Sequence, residues 1–88
     1  MSYRLQLEKN FTKHYAKLTA KERGMVDNKL RILAQDPWHP SLRTKRIQGT
    51  GEFEVNMDIR MAIAFEGDRI IMLDVDHHDK LLKWRSSR

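Results

Sequence analysis

The chain has 88 residues, no cysteine, 40% hydrophobic and 33% charged residues, and a formal net charge of +5. A chain this short buries only about 60–65% of its unfolded surface, which supports one domain over residues 1–88 and leaves nothing for a second core. A disulfide framework and thiolate chemistry are excluded, and no run of about 18 apolar residues is present to cross a bilayer. Residues 1–8 become charged too early for the apolar core of a secretory leader. A cytoplasmic protein with no membrane partner is therefore expected.

The charge is unevenly spread. Residues 1–47 hold eleven Lys and Arg against four acids, a balance of +7, whereas residues 48–88 hold six against eight. A basic field of this kind attracts polyanions by releasing their counterions. Nucleic acid, an anionic surface or simple solubility all fit it.

In chain order, residues 3–7 alternate, with Tyr3, Leu5 and Leu7 against Arg4 and Gln6, and predict a strand. Leu7, Phe11, Tyr15 and Leu18 then recur at steps of three and four, the spacing of a helix. Thr19-Ala-Lys-Glu22 is a capping box that starts a second helix near Ala20. Val26, Leu30 and Leu33 form its apolar stripe, and Asp36-Pro37 ends it, because the residue before proline disfavours the helical region. From Arg43 the period changes to two. Strands are expected at 43–48, closed by Gly49-Thr50-Gly51, and at 52–57, 60–66 and 69–75, with a Gly67-Asp68 turn before the last. The last strand is nearly all apolar, as in a central strand buried on both faces. Residues 79–84 read as one or two helical turns, capped by Asp79. The fold class is α+β: an N-terminal strand and a helical hairpin packed on a mostly antiparallel twisted sheet.

Three groups of residues can carry chemistry. Arg43, Lys45 and Arg46 place three cations within four residues, either as a phosphate-contacting edge or as charged protection of an edge strand. Arg60 shares the polar side of its strand with Ala62 and Ala64, whose small side chains leave room for a ligand; it can clamp a phosphate or pair with Glu52, Glu54 or Asp74. His77-His78-Asp79 ends the last strand, and histidine gives and takes protons near neutrality. Neighbours on a strand face opposite ways, so only one of the two histidines should face a given site, and the other would pack beneath the helices. No spacing of metal ligands or Gly-rich phosphate loop is present, so no metal and no small-molecule cofactor are expected. His14, His39 and the five methionines read as structural.

Taken in order, Leu33-Ala-Gln-Asp-Pro37, Pro40-Ser-Leu42, Lys45-Arg-Ile-Gln-Gly49, Phe53-Glu-Val-Asn-Met-Asp-Ile-Arg60 and His77-His78-Asp79 resemble the RelE/ParE toxin superfamily of type II toxin–antitoxin systems, nearly end to end. The resemblance implies a toxin neutralised by a cognate antitoxin. It also implies an endoribonuclease that cuts mRNA on the ribosome without a metal, by attack of the RNA 2′-hydroxyl on its own phosphate. By position it assigns phosphate stabilisation to Lys45 and Arg60, proton transfer to His78 or His77, and further RNA contacts to Arg43, Arg46 and Asn56. The chain departs from the pattern at Asn56, where many relatives carry arginine, at Leu82, where the RelE type has tyrosine, and at Asp76, an added carboxylate. These departures leave open a weak or inactive module that binds RNA, the ribosome or the antitoxin. A ParE-like gyrase inhibitor is the remaining alternative.

Overall fold

The computed structural model describes residues 2–46, 52–55 and 59–77. Strand β1 (Arg4–Leu7) leads into helix α1 (Lys9–Ala16), and a tight connection at Lys17-Leu18 leads into α2 (Ala20–Gln35). The capping box forms in both directions: the Glu22 N–H donates to the Thr19 hydroxyl at 3.1 Å and the Thr19 N–H donates to Glu22 Oε1 at 2.9 Å. The helix stops where expected, with Asp36 extended before Pro37.

The strands that follow are β2 (Lys45–Arg46), β3 (Glu52–Val55), β4 (Ile59–Glu66) and β5 (Arg69–His77). The sheet order is β1-β5-β4-β3-β2, parallel between β1 and β5 and antiparallel elsewhere. Gly67 supplies the turn between β4 and β5 at φ 61°, a conformation that costs glycine little.

Residues directly opposite across a ladder share a face, so the register divides the sheet. Phe53, Val55, Met61, Ile63, Phe65, Ile70, Met72 and Val75 face the helices. Most of these are fully buried in one core with Phe11, Leu18, Val26, Leu33 and Leu42. The outer face carries Lys45, Glu54, Arg60, Ala62, Asp74 and Asp76.

A bulge sets this division on β5. Ala62 pairs with Asp74, but the next residue, Ile63, pairs with Met72. The extra residue lets Met72 and Val75, three apart, both point to the core. It also turns Asp74 and Asp76 outward and His77 inward.

Two expectations are corrected. Residues 43–48 do not form a strand throughout: Pro40–Leu42 is a 3-10 turn, and Arg43 closes it in the left-handed region at φ 49°. Proline at the start of that turn fixes the bend, so the described part of the strand begins only at Lys45. Ala62 is 0% exposed, so the room expected above it is filled. The Gly49-Thr50-Gly51 closure, the ends of the strands expected at 43–48 and 52–57, and the helical turns at 79–84 with Asp79 lie outside the described residues.

Candidate functional site

Lys45 is exposed on the edge strand β2 and begins a row across the outer face, Lys45 to Glu54 to Ala62 to Asp74. Strands lie about 4.8 Å apart, so Lys45 and Asp74 are separated by roughly 14 Å at the backbone. Arg60 stands one step along the same face, opposite Asp76. Its guanidinium donates from Nη1 to Glu54 Oε1 at 2.8 Å. Of the two roles open to Arg60, the ion pair with Glu54 is therefore formed. It gives a buried carboxylate a charged partner.

The histidines divide differently. His77 lies opposite Ile59 on the helix-facing side. Its Nε2 is 2.9 Å from Glu22 Oε2 and its Nδ1 is 3.5 Å from Asp76 Oδ1. The Glu22 carboxylate, held by the Thr19 backbone N–H and then by His77, has its pKa lowered from the ordinary value. His78 and Asn56 lie outside the described residues, as does Leu82. Arg46, opposite Phe53, faces away from Lys45, and Arg43 is not on a strand. The outer face thus brings Lys45 and Arg60 together and leaves His77 on the other side.

One cluster escaped sequence reading. His14, taken as merely structural, places Nδ1 2.6 Å from Asp74 Oδ1 and 4.0 Å from Asp76 Oδ2. β1 ends its pairing with β5 at Leu7 and Met72, and α1 then runs beside the rest of β5. The N–H groups of Val75 and His77 are met by the preceding carboxylates, Asp74 Oδ1 and Asp76 Oδ1, each at 2.8 Å. Asp74, 2% exposed, joins this backbone bond to the imidazole of α1. A pocket of about 180 Å³ opens there, lined by His14, Lys17, Leu18, Asp76 and His77. The available signal was Asp74-Val75-Asp76 inside an otherwise apolar strand, because a buried carboxylate requires partners. Among the described residues no three His, Asp or Glu side chains form a ligand set for a metal ion. No described helix is long and apolar enough to cross a membrane.

No protein-family model matches the chain, and no curated protein matches it. Solved structures do. A RelB–RelE antitoxin–toxin complex from Methanococcus jannaschii aligns with TM-score 0.75 at 18% identity, over 90% of this chain and 96% of that one. A mutant of E. coli toxin RelE in the free state gives 0.75 at 14%, over 97% and 93%. The RelBE2 toxin–antitoxin complex of Mycobacterium tuberculosis gives 0.72 at 17%, over 89% and 100%. The chain has the RelE-like toxin fold, an α+β arrangement in which the described residues form two helices on a mixed five-stranded sheet.

Proposed function

We propose that the protein is the toxin of a type II toxin–antitoxin pair and acts as an endoribonuclease on mRNA at the ribosome. The RelE-like fold carries this reading, with Lys45 and Arg60 on one face of its sheet. In this reaction the ribose 2′-oxygen attacks the adjacent phosphorus and the bond to the next nucleotide's 5′-oxygen breaks, giving a cyclic phosphate and a 5′-hydroxyl. A base takes the 2′ proton and an acid returns one to the leaving oxygen. Cations aimed at the charge growing on the phosphate supply several kcal/mol. Lys45 and Arg60 fill that role in the proposal, and Arg43, Arg46 and Asn56 hold the flanking RNA. His77 is turned to Glu22, so we assign proton transfer to His78. The partners are a cognate antitoxin, which in the similar complexes is RelB, together with mRNA and the ribosome.

The test is a translation reaction on a defined mRNA with 5′ ends mapped on the message. New ribosome-dependent ends bearing 5′-hydroxyls, lost in His78→Ala, are expected. An intact message, or undiminished cleavage by that variant, would overturn the assignment.

A second reading has its own support. Arg60 is engaged by Glu54, and Asp74 and Asp76 add carboxylates to the same face, which weakens its attraction for a phosphate. A non-catalytic module that occupies RNA, the ribosome or the antitoxin would depress protein synthesis over an uncut message and bind RNA with steep salt dependence.

A further inference from the structure

Trp38 follows α2 in the turn after Asp36-Pro37 and is fixed through its backbone. Its N–H donates to Asp36 Oδ1 at 3.1 Å. The His39 N–H donates to the Asp36 carbonyl at 3.1 Å, and the Thr44 hydroxyl donates to the Pro37 carbonyl at 2.7 Å. The indole lies over Phe65 with ring centroids 5.6 Å apart and planes 21° apart, and meets Phe53 edge-on at 5.3 Å. Phe53 and Phe65 in turn pack edge to face at 5.0 Å. Despite these contacts Trp38 is 55% exposed. The ring is stacked against Phe65 and meets Phe53 nearly at right angles, and more than half of the residue stays open to solvent.

The neighbourhood is cationic. Arg46 sits directly opposite Phe53, the ring that Trp38 touches, and is exposed on the same face. Lys45, the adjacent residue, points to the outer face with Arg60. The β2 edge therefore carries one cation on each side. A polyanion crossing this edge meets Arg46 and the indole on one side, and Lys45 and Arg60 on the other.

We infer that Trp38 is a stacking platform for an unpaired base of single-stranded RNA, with Arg46 holding the adjoining phosphate. This inference rests on the proposed RNA substrate and adds to it a subsite on the opposite side of the β2 edge from Lys45. Every base has a π-face, so an open indole beside a cation suits single-stranded RNA without demanding a sequence. An apolar protein partner would require a continuous apolar patch. The exposed large hydrophobics among the described residues are Leu7 and Trp38, and Leu7 lies on β1 at the opposite edge of the sheet. The charge of the first half of the chain, +7 over residues 1–47, matches a nucleic acid.

The chain has two tryptophans, so Trp84→Phe leaves Trp38 as the fluorescent reporter. In that full-length background, a 2′-O-methyl oligoribonucleotide, which cannot be cleaved, should quench the emission saturably, and inorganic polyphosphate should not. With the same oligonucleotide labelled for anisotropy, Trp38→Ala should weaken binding about 5- to 100-fold, the effect of one stacked base. Trp38→Phe should retain most of the affinity. Arg46→Gln should weaken binding and flatten its salt dependence by roughly one phosphate contact. Equal quenching by polyphosphate, unchanged affinity of Trp38→Ala, or burial of Trp38 by self-association without RNA would each overturn the inference. Message cleavage read separately distinguishes the two claims. Quenching without cleavage retires the nuclease and keeps the platform, whereas cleavage with unchanged binding by Trp38→Ala does the reverse.

Discussion

The β2 edge and the far end of β5 hold much of the polar chemistry of this protein, and they are built in opposite ways. At β5 the groups are matched. His14 meets Asp74 and Asp76, His77 meets Glu22 and Asp76, and the two aspartates also satisfy neighbouring backbone N–H groups. Asp74 is buried, and the cluster ties both helices to the sheet. At β2, Lys45 and Arg46 are exposed and form no ion pair among the described residues. A matched, partly buried cluster contributes to stability, because removing one member leaves another desolvated without a partner. Unmatched exposed cations contribute almost nothing to folding and are available to an anionic ligand. The contrast separates residues that hold the fold from residues proposed to meet the substrate.

The sharpest way to break this contrast is to measure activity and stability on the same variants. Lys45→Ala should lower message cleavage by about 10²- to 10³-fold while leaving the denaturation midpoint within about 0.5 kcal/mol of the parent. Equal losses in both would place Lys45 in the folding group. Asp74→Ala should do the reverse, costing about 2–3 kcal/mol because it strips partners from His14 and from the Val75 N–H. For a chain of this size that corresponds to a melting temperature lower by about 10–15 °C, readable by circular dichroism.

Two smaller effects refine the picture at Glu22, where the helix cap and the β5 cluster meet. Thr19→Ala removes the acceptor of the capping box and should cost about 1 kcal/mol in urea denaturation. The Glu22 pKa is lowered in the fold, so its contribution is present above the unfolded value of 4.5 and is lost as pH falls through the folded value. Glu22→Gln should therefore lower the neutral plateau of the stability curve, meet the parent curve in acid, and so flatten the acid limb below about pH 4.5. A variant whose acid limb remains as steep as the parent's would remove Glu22 from the account.

The smallest effect is spectroscopic. The Tyr15 hydroxyl donates to Asp27 Oδ1 at 2.5 Å, and this bond raises its pKa above 10.0. The bond stabilises the fold below that value and its contribution disappears as pH rises through the raised one. Asp27→Asn should move the Tyr15 phenolate step to lower pH, as followed by ultraviolet absorbance.

Local signals were legible wherever the cause lies within a few residues. Thr19 and Glu22 cap a helix on contact between neighbours, Pro37 stops it by a clash with its predecessor, and Gly67 turns the chain because it alone adopts that φ without cost. Alternation marked the strands, and the order of motifs pointed to the RelE-like fold found in the solved structures. The cations at and just before β2 were legible as well, because three in four residues need no tertiary partner to be noticed.

The rest depended on pairing between distant segments. Glu54 is one of three carboxylates that the sequence offers to Arg60, and only the fold selects it. His14 reads as one more helix-surface residue until α1 is laid beside β5, 60 positions away in the chain, and meets Asp74 there. Trp38 reads as part of a rigid connection until Phe53 and Phe65, from two later strands, support its ring. The bulge on β5 decided which face His77 takes, since one extra residue reverses every side chain beyond it. By itself the sequence determined the elements, their order and the basic character of the first half, because propensity, capping and charge act locally. Which groups neutralise one another and which remain open to a ligand was decided only by the tertiary structure, because burial and register are properties of packed neighbours.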